Sequence, residues 1–392
     1  MSGGLLVPKS SAQYQVCSRC IYDSKVLGVY FDESGVCNLC RQTDSLAGQY
    51  GTGTEAGESA LQGILRQIQT EGIKKPYDCI VGVSGGTDSS YLVHLAVKWG
   101  LRPLAVHYDN TWNSAAASMN IAKVLSKLGV DLETYVVHNK EADDIFRSFF
   151  LAGVPELEAS TDLGYAYLLR LVAKKYGLRF VLEGHSFIEE GITPLGANYF
   201  DGRYIRGIHR KYGSVRMKTY PLMTFTRFLR SIISTRLQFV RPFWYLNYEK
   251  KTAQEELRSE YGWEYYGGHH LENRMTAFLH TVYLPEKFGL DMRNNTLAAN
   301  VRNGHISHEA ALSIYKEGPS ADPGLVEYFR KRLGFDAVRY DDIMSSKPRY
   351  WREFRTYKGA FELLSPLFFI FAKRNLVPMS FYLKYCARGV PE

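Results

Sequence analysis

Two adjacent glycines set among hydroxyls, Ser84-Gly85-Gly86-Thr87-Asp88-Ser89-Ser90, constrain this chain more than any other stretch. They follow Tyr77-Asp78-Cys79-Ile80-Val81-Gly82-Val83, a short apolar run rich in β-branched residues that predicts a buried strand. They precede Tyr91 to Trp99, whose pattern predicts a helix stopping at Gly100. A strand must therefore pass into a helix through a loop whose backbone can take positive φ and approach a ligand closely. Free N–H groups at the helix start, the helix dipole and the hydroxyls all favour an anion there. The loop reads as a phosphate cradle, with Val83, Ser84, Gly85, Gly86, Thr87, Asp88, Ser89 and Ser90 as candidate binding residues. No Gly-Lys-Ser/Thr follows at the Walker spacing, and Gly-x-Gly-x-x-Gly is absent, so neither of those nucleotide motifs is present. A Gly/Ser turn that binds nothing is the bland alternative.

Strand and helix patterns then alternate. Arg102–Asp109, Leu132–His138 and Arg179–Gly184 read as strands; 114–128, 142–150 and 161–176 read as helices. Alternation of this kind predicts an α/β fold with a parallel sheet and helices on both faces, and ligands outside the carboxyl ends of the strands. Two further strand ends carry chemistry: His107-Tyr108-Asp109-Asn110, and Gly184 with His185. The string Ser-Gly-Gly-x-Asp-Ser-Ser resembles the pyrophosphate (PP) loop of the ATP pyrophosphatases. That resemblance implies cleavage of ATP between the α and β phosphates and transfer of AMP to a carbonyl oxygen. It implies an ATP site completed by His107, Asp109, Gly184 and His185, and gives Asp88 a part in holding Mg²⁺.

Four of the six cysteines fall as Cys17-x-x-Cys20 and Cys37-x-x-Cys40, the spacing of a closed four-thiolate zinc site. The segment between the pairs can form a short hairpin, and so small a ribbon needs its metal to fold. Structural Zn²⁺ is expected there, with no open coordination position for catalysis; a disulfide or redox pair is the rival reading. Residues 42–57, rich in Gly, Ser, Thr and Gln, read as a linker, and 59–73 as an amphipathic helix. The expected division is a zinc-ribbon-like segment and linker over 1–57, a PP-loop ATP-binding domain over 58–218, and a mainly helical substrate or partner region over 219–392.

The net charge of +8 suits a polyanionic ligand without choosing one. No apolar run is long enough to span a bilayer, and the first residues lack the basic-then-apolar layout of a secretory signal, so a cytoplasmic protein is expected. Basic and aromatic residues crowd 340–392; this stretch can dock a partner, an anionic lipid face or RNA, or be a solvated tail.

Three stretches narrow the chemistry: Cys17 to Cys40; Glu183-Gly184-His185-Ser186-Phe187-Ile188-Glu189-Glu190-Gly191-Ile192-Thr193-Pro194; and Glu260 to Arg293, with its Trp263-Glu264-Tyr265-Tyr266-Gly267-Gly268-His269-His270 core. Together, over roughly residues 14 to 320, they closely resemble the N-acetyl sugar amidotransferases of bacterial surface-polysaccharide and nonulosonic-acid biosynthesis. The resemblance implies conversion of a sugar acetamido group to an acetamidino group. It also implies ammonia delivered by a glutaminase subunit resembling that of histidine biosynthesis, with a cyclase-like companion. No glutaminase nucleophile is visible in the chain itself, and the catalytic core offers only Cys79, which disfavours sulfur transfer. On this reading Asp88, His185 and Glu189 are the catalytic candidates, and Glu190, His269, His270, Arg274 and Arg293 the candidates for gripping substrate. The alternatives are a PP-loop tRNA-modifying enzyme that adenylates a base carbonyl, and a non-catalytic nucleotide-binding scaffold.

Overall fold

A computed structural model describes residues 14–194, 198–267 and 271–387. Its centre is a five-stranded, all-parallel sheet in the order β3-β2-β1-β4-β5. The strands are β1 Cys79–Gly82, β2 Pro103–Asp109, β3 Leu132–Val136, β4 Phe180–Leu182 and β5 Gln238–Val240. β1 is central because it is apolar on both faces. Ile80 joins Leu104, Val106 and Val181 against the helices Asn139–Ala152 and Ala159–Tyr176. Cys79 and Val81 point the other way, with Ala105 and Leu182, toward the helices Glu55–Gly72, Thr87–Lys98 and Ala115–Leu128. This period-two alternation makes the three-layer α/β sandwich that the strand–helix pattern predicts. The strand order reverses between β1 and β4, which is where such sheets open a crevice at their carboxyl ends.

Four expectations are corrected. The helix after the glycine loop begins at Thr87, not Tyr91, so half of the motif is its first turn. The stretch expected as a linker is mostly helix, Asn38–Tyr50, ended by Gly51 at φ 60; the helix buries Leu39, Cys40 and Thr43. Gly51 takes the left-handed cap conformation, which costs glycine little, and its amide closes on the Ala47 carbonyl. The fifth strand lies at 238–240, beyond the boundary expected at residue 218, so the sheet is completed from the region taken as mainly helical. The segment between the cysteine pairs forms no hairpin ladder; the isolated antiparallel bridges Val16–Asp23 and Phe31–Cys37 join its two ends to residues at the cysteine turns.

Residues beyond the sheet fold back onto it. A π-helix, Leu279–Phe288 with Pro285 inside, and the helix Leu325–Leu333 join the core beside Phe146 and Phe150. The Cys-rich ribbon packs on the helices Arg293–Arg302 and His308–Lys316 through Leu297, Ala298 and Ala311. The last helices form a cluster of their own around Phe361 and Phe368, with Ile232 of the helix Phe225–Thr235. No helix among the described residues is long and apolar enough to cross a membrane.

Candidate active site

The glycine loop leaves β1 and turns under the helix Thr87–Lys98. Gly85 sits at φ +84, and a Cβ there would lie 2.2 Å from the Ala117 carbonyl oxygen. Its own carbonyl accepts from the Trp263 indole at 3.0 Å and from Asn120 at 3.3 Å. Glycine is therefore required at 85 for both conformation and space, and two side chains clamp the turn from outside. Ser89 Oγ receives the Ser84 amide at 3.2 Å and reaches the Gly86 carbonyl at 3.2 Å.

The loop forms one wall of a cavity of about 550 Å³. His107 and Asn110 from the end of β2, Gly184 and His185 from the end of β4, Glu158 and Asp162 from the 156–162 turn and helix, and Tyr266, Glu272, Asn273, Thr276 and His280 complete it. His107 is held by its Nδ1 on the Val83 carbonyl at 2.7 Å, while Asn113 meets its Nε2 at 3.1 Å. Asn273 donates to Asn110 at 2.8 Å and to Asn113 at 2.9 Å, tying the 266–280 segment to the end of β2. Glu272 accepts from Ser84 Oγ at 3.3 Å.

Asp88 is engaged on both oxygens. Tyr248 donates to Oδ1 at 2.6 Å, and the Lys250 ammonium pairs with Oδ2 at 2.6 Å. Tyr248 is held flat on Phe243, ring centroids 3.9 Å apart. Burial opposes the charge on Lys250, but Asp88, with Glu190 and Glu272 nearby, outweighs it and holds the ammonium above its ordinary range. A cation is thus stored beside the first turn of the loop helix. Lys250 and Tyr248 were not singled out from sequence; a lysine opening a polar helix gives no signal, and 162 residues separate Lys250 from its partner. Glu272, Asn273 and His280 were likewise not singled out, although all three lie within the Glu260 to Arg293 stretch that the sequence marks as chemical.

The sequence-derived candidates separate. Ser84, Gly86, Asp88, Ser89, His107, Gly184, His185 and Glu190 line the cavity with Val83. Thr87 and Ser90 are buried beneath the loop, Thr87 accepting from Gln254 at 3.1 Å. Asp109 stands off the cavity and caps its own turn through the Thr111 amide at 2.7 Å. His185 accepts the Trp244 indole N–H at 3.2 Å and faces Glu190 across 3.7 Å. Glu189 does not line the cavity: it is 7 % exposed, meets Asn303 at 3.3 Å, and burial pushes its carboxyl upward. Its neighbour Glu190 takes the cavity-facing position instead.

Arg274 and Arg293 do not line it either. Arg274 lies over the Tyr328 ring, 4.5 Å from its centroid. Arg293 pairs with Asp291 at 2.7 Å and donates to the carbonyls of Ile314 and Tyr315, a clamp between two helices. Asp291, two residues before it, was the signal for that role. His269 and His270 lie outside the described residues. Of the aromatic group, Trp263 is core, Tyr266 lines the cavity and Tyr265 is exposed.

The four ribbon sulfurs lie within 4.8 Å of one another, Cys17–Cys40 at 3.9 Å and Cys20–Cys37 at 3.6 Å. Sulfurs around a tetrahedral zinc with Zn–S of ~2.3 Å stand ~3.8 Å apart, so the set fits one ion. Backbone amides point at the sulfurs, Cys37 N to Cys17 Sγ at 3.2 Å and Arg19 N to the same atom at 3.4 Å, as thiolate charge requires. His308 Nε2 reaches the carbonyls of Cys17 and Cys20, each at 3.1 Å, and fastens the ribbon to the helix behind it.

Parallel sheet, glycine loop at the switch point and Cys₄ ribbon define a PP-loop α/β protein with an N-terminal ribbon and a helical C-terminal region. Residues 272–367 match the family model described as LPS biosynthesis protein WbpG-like, C-terminal domain. The matched segment overlaps the stretch whose sequence resembles a surface-polysaccharide family. No curated protein matches the chain in sequence. Solved structures similar to it include an NMN synthetase from Francisella tularensis, at 12% identity and TM-score 0.31 over 72% of this chain and 95% of that one. An NH3-dependent NAD synthetase from Campylobacter jejuni is similar at 14% identity and TM-score 0.29 over 74% and 97%. The U34-tRNA thiolase NcsA from Methanococcus maripaludis is similar at 11% identity and TM-score 0.31 over 85% and 96%.

Proposed function

We propose that the protein is an ATP-dependent, AMP-forming amidotransferase of bacterial surface-polysaccharide biosynthesis, which converts the acetamido group of an N-acetylated sugar to an acetamidino group. One observation carries this reading. The segment matched to the LPS-biosynthesis family opens at Glu272, and its first residues, Glu272 to His280, wall the cavity of the glycine loop. The family-specific part and the phosphate-binding part thus share one site.

An amide oxygen leaves poorly as oxide or hydroxide. Transfer of AMP from ATP to that oxygen, with loss of pyrophosphate, makes the leaving group a phosphate ester. Ammonia then adds to the imidate carbon, a proton is lost, AMP departs with the former acetamido oxygen, and the amidine remains. The loop amides and the first turn of the loop helix suit the β and γ phosphates. Lys250, within reach of the same turn, balances charge that builds on the transferring phosphoryl group and the departing pyrophosphate. His185 and Glu190, facing each other at the cavity wall, suit removal of the proton from attacking ammonia. Mg²⁺ carried with the triphosphate commonly keeps one or two carboxylates among its ligands, and Asp88 and Glu272, beside the loop, suit that place. Its chemistry there is polarisation of phosphoryl oxygens. The ribbon zinc is structural on this reading.

Cys79 is fully buried in β1, and Cys386 is buried among the last helices, where desolvation pushes its thiol up to about 12. Neither thiol lines the cavity, which supports an outside ammonia source and argues against sulfur transfer. We take that source to be a partner glutaminase, with a cyclase-like companion to channel ammonia.

The deciding experiment supplies ATP, an ammonium salt and an acetamido nucleotide-sugar whose acetamide oxygen carries a heavy-isotope label. AMP bearing the label in its phosphate, together with an amidine product by mass spectrometry, is expected. Formation of ADP, or of AMP that lacks the label, overturns the proposal.

A further inference from the structure

A second cavity, of about 280 Å³, adjoins the first; Tyr165 and Asp162 line both. Its walls are mostly apolar, with Phe225, Phe228, Phe239, Phe361, Val377 and Phe381 among them. A sugar ring bound there would leave most of its hydroxyls unpaired, so this cavity suits a different class of ligand.

Arg170 also lines it. The residue is 5 % exposed, and its Nη1 is buried without a hydrogen-bond partner among the described residues. The guanidinium lies between rings, 5.3 Å from the centroid of Phe228 and 5.9 Å from that of Phe239. Burial alone pushes it down to about 10. Three acids line the cavity: Asp162 is exposed on the side shared with the first cavity, and the other two are committed elsewhere. Glu183 pairs with Arg241 at 2.9 Å, and Asp201 accepts from the Tyr199 hydroxyl and from the amides of Arg203, Tyr204 and Tyr357. A buried guanidinium in such surroundings is under-satisfied until an anion reaches it.

The roof points to the rest of the ligand. Tyr357, Phe361, Val377 and Phe381 line the cavity from the C-terminal helices. On the same helices Leu363, Phe369, Ile370, Met379 and Leu383 are exposed, from 37 % for Leu383 to 73 % for Leu363. From Leu363 to Pro391 the sequence carries four basic residues, Lys373, Arg374, Lys384 and Arg388, and no acidic one. Glu362, just before this run, is paired with Lys358, so the exposed apolar surface carries an excess of positive charge that suits contact with anionic amphiphiles.

We propose that this cavity binds an anionic amphiphile, an alkyl chain ending in a carboxylate or phosphate, with Arg170 on the anion and the ring-lined walls around the chain. The inference stands apart from the amidotransferase reading, since it uses neither the glycine loop nor the acceptor.

The test is calorimetry on the full, zinc-loaded chain with decanoate, decyl phosphate, decanol and decyltrimethylammonium, each below its micelle concentration. Both anions are expected to bind about tenfold or more tighter than decanol, as a charge-assisted pair allows, and the cation not to bind. Arg170→Met should erase the preference for anions while leaving the melting temperature unchanged or higher, because it removes an unpaired buried charge. Ala166→Phe, which fills the cavity and keeps the charge, should abolish binding of anions and decanol alike. Equal affinity for anions and decanol, no binding at all, or full binding by Ala166→Phe overturns the proposal. A lowered melting temperature of Arg170→Met with the anion preference intact does so too. Flotation with phosphatidylglycerol vesicles, lost in Arg170→Met, identifies lipid phosphate as the source. Decanoate binding without flotation identifies a free carboxylate.

Discussion

Asp88 shows how one side chain can serve two neighbours. Lying in the first turn of a helix, it answers the positive end of the dipole, and it also stores the Lys250 cation and the Tyr248 hydroxyl at 2.6 Å each. Lys250→Gln should lower the rate of AMP formation about 100-fold, the scale of losing one preorganised charge-stabilising group, with zinc content unchanged. A change under threefold in single-turnover AMP release would exclude Lys250 from the phosphoryl step. Gly85→Ala meets two obstacles at once, the φ of +84 and the Ala117 oxygen 2.2 Å from the new Cβ. It should cost about 1–3 kcal/mol in urea unfolding and remove ATP binding measured by calorimetry. Glu156 carries a pH signature. Burial raises its carboxyl to about 7, with the Tyr204 hydroxyl on it at 2.9 Å. An acid raised on folding favours the folded state fully only below its unfolded pKa, near 4.5. Stability should therefore fall as pH rises from about 4.5 to 7, by about 3 kcal/mol, and level off above. Glu156→Gln should flatten that part of the curve in chemical denaturation across pH.

At the scale of elements, the ribbon and the C-terminal helices behave as one unit although they lie far apart in sequence. Tyr22 donates to the Ile192 carbonyl at 3.2 Å and meets Asn295, and His308 holds two ribbon carbonyls, so the four-cysteine turn is also tied to the 183–194 strand-end loop. Cys37→Ser should lose the metal, about one zinc per chain by atomic absorption, and open residues 14–50 to limited proteolysis while the sheet persists. Protease resistance equal to wild type in the metal-free variant would show that packing on Leu297 and Ala311 suffices without zinc. The π-helix Leu279–Phe288 has Pro285 inside, which lacks the amide a regular turn would use. Its first turn carries His280 into the cavity, and Tyr283 anchors it to the Val154 carbonyl at 3.1 Å.

For the whole molecule, the proposed supply of ammonia by a separate glutaminase sets a kinetic expectation. With ammonium salt alone the reactive species is the free base, so the rate at fixed total ammonium should rise about tenfold per pH unit below the ammonium pKa. With glutamine and the partner glutaminase the slope should flatten, because ammonia is delivered in its reactive form. Equal slopes in the two assays would argue against channelled delivery.

Much of the layout was legible because it depends on local pattern. The apolar run into Gly85-Gly86 announced a strand, loop and helix, and the two Cys-x-x-Cys pairs announced a closed thiolate set; both rest on short-range geometry that neighbouring residues dictate. β5 was missed because Gln238-Phe239-Val240 is short, opens on a polar residue and lies between Arg236 and Arg241, whereas the equally short β4 is an unbroken apolar run, Phe180-Val181-Leu182. The helix Asn38–Tyr50 was missed because its composition is that of a linker and its stability comes from packing. Which of two adjacent glutamates enters the cavity, whether Arg293 grips substrate or Asp291, and which lysine meets Asp88 depend on how remote segments are turned toward one another. Those choices were made by tertiary packing, since a side chain's partner across 162 residues leaves no trace in its own neighbourhood.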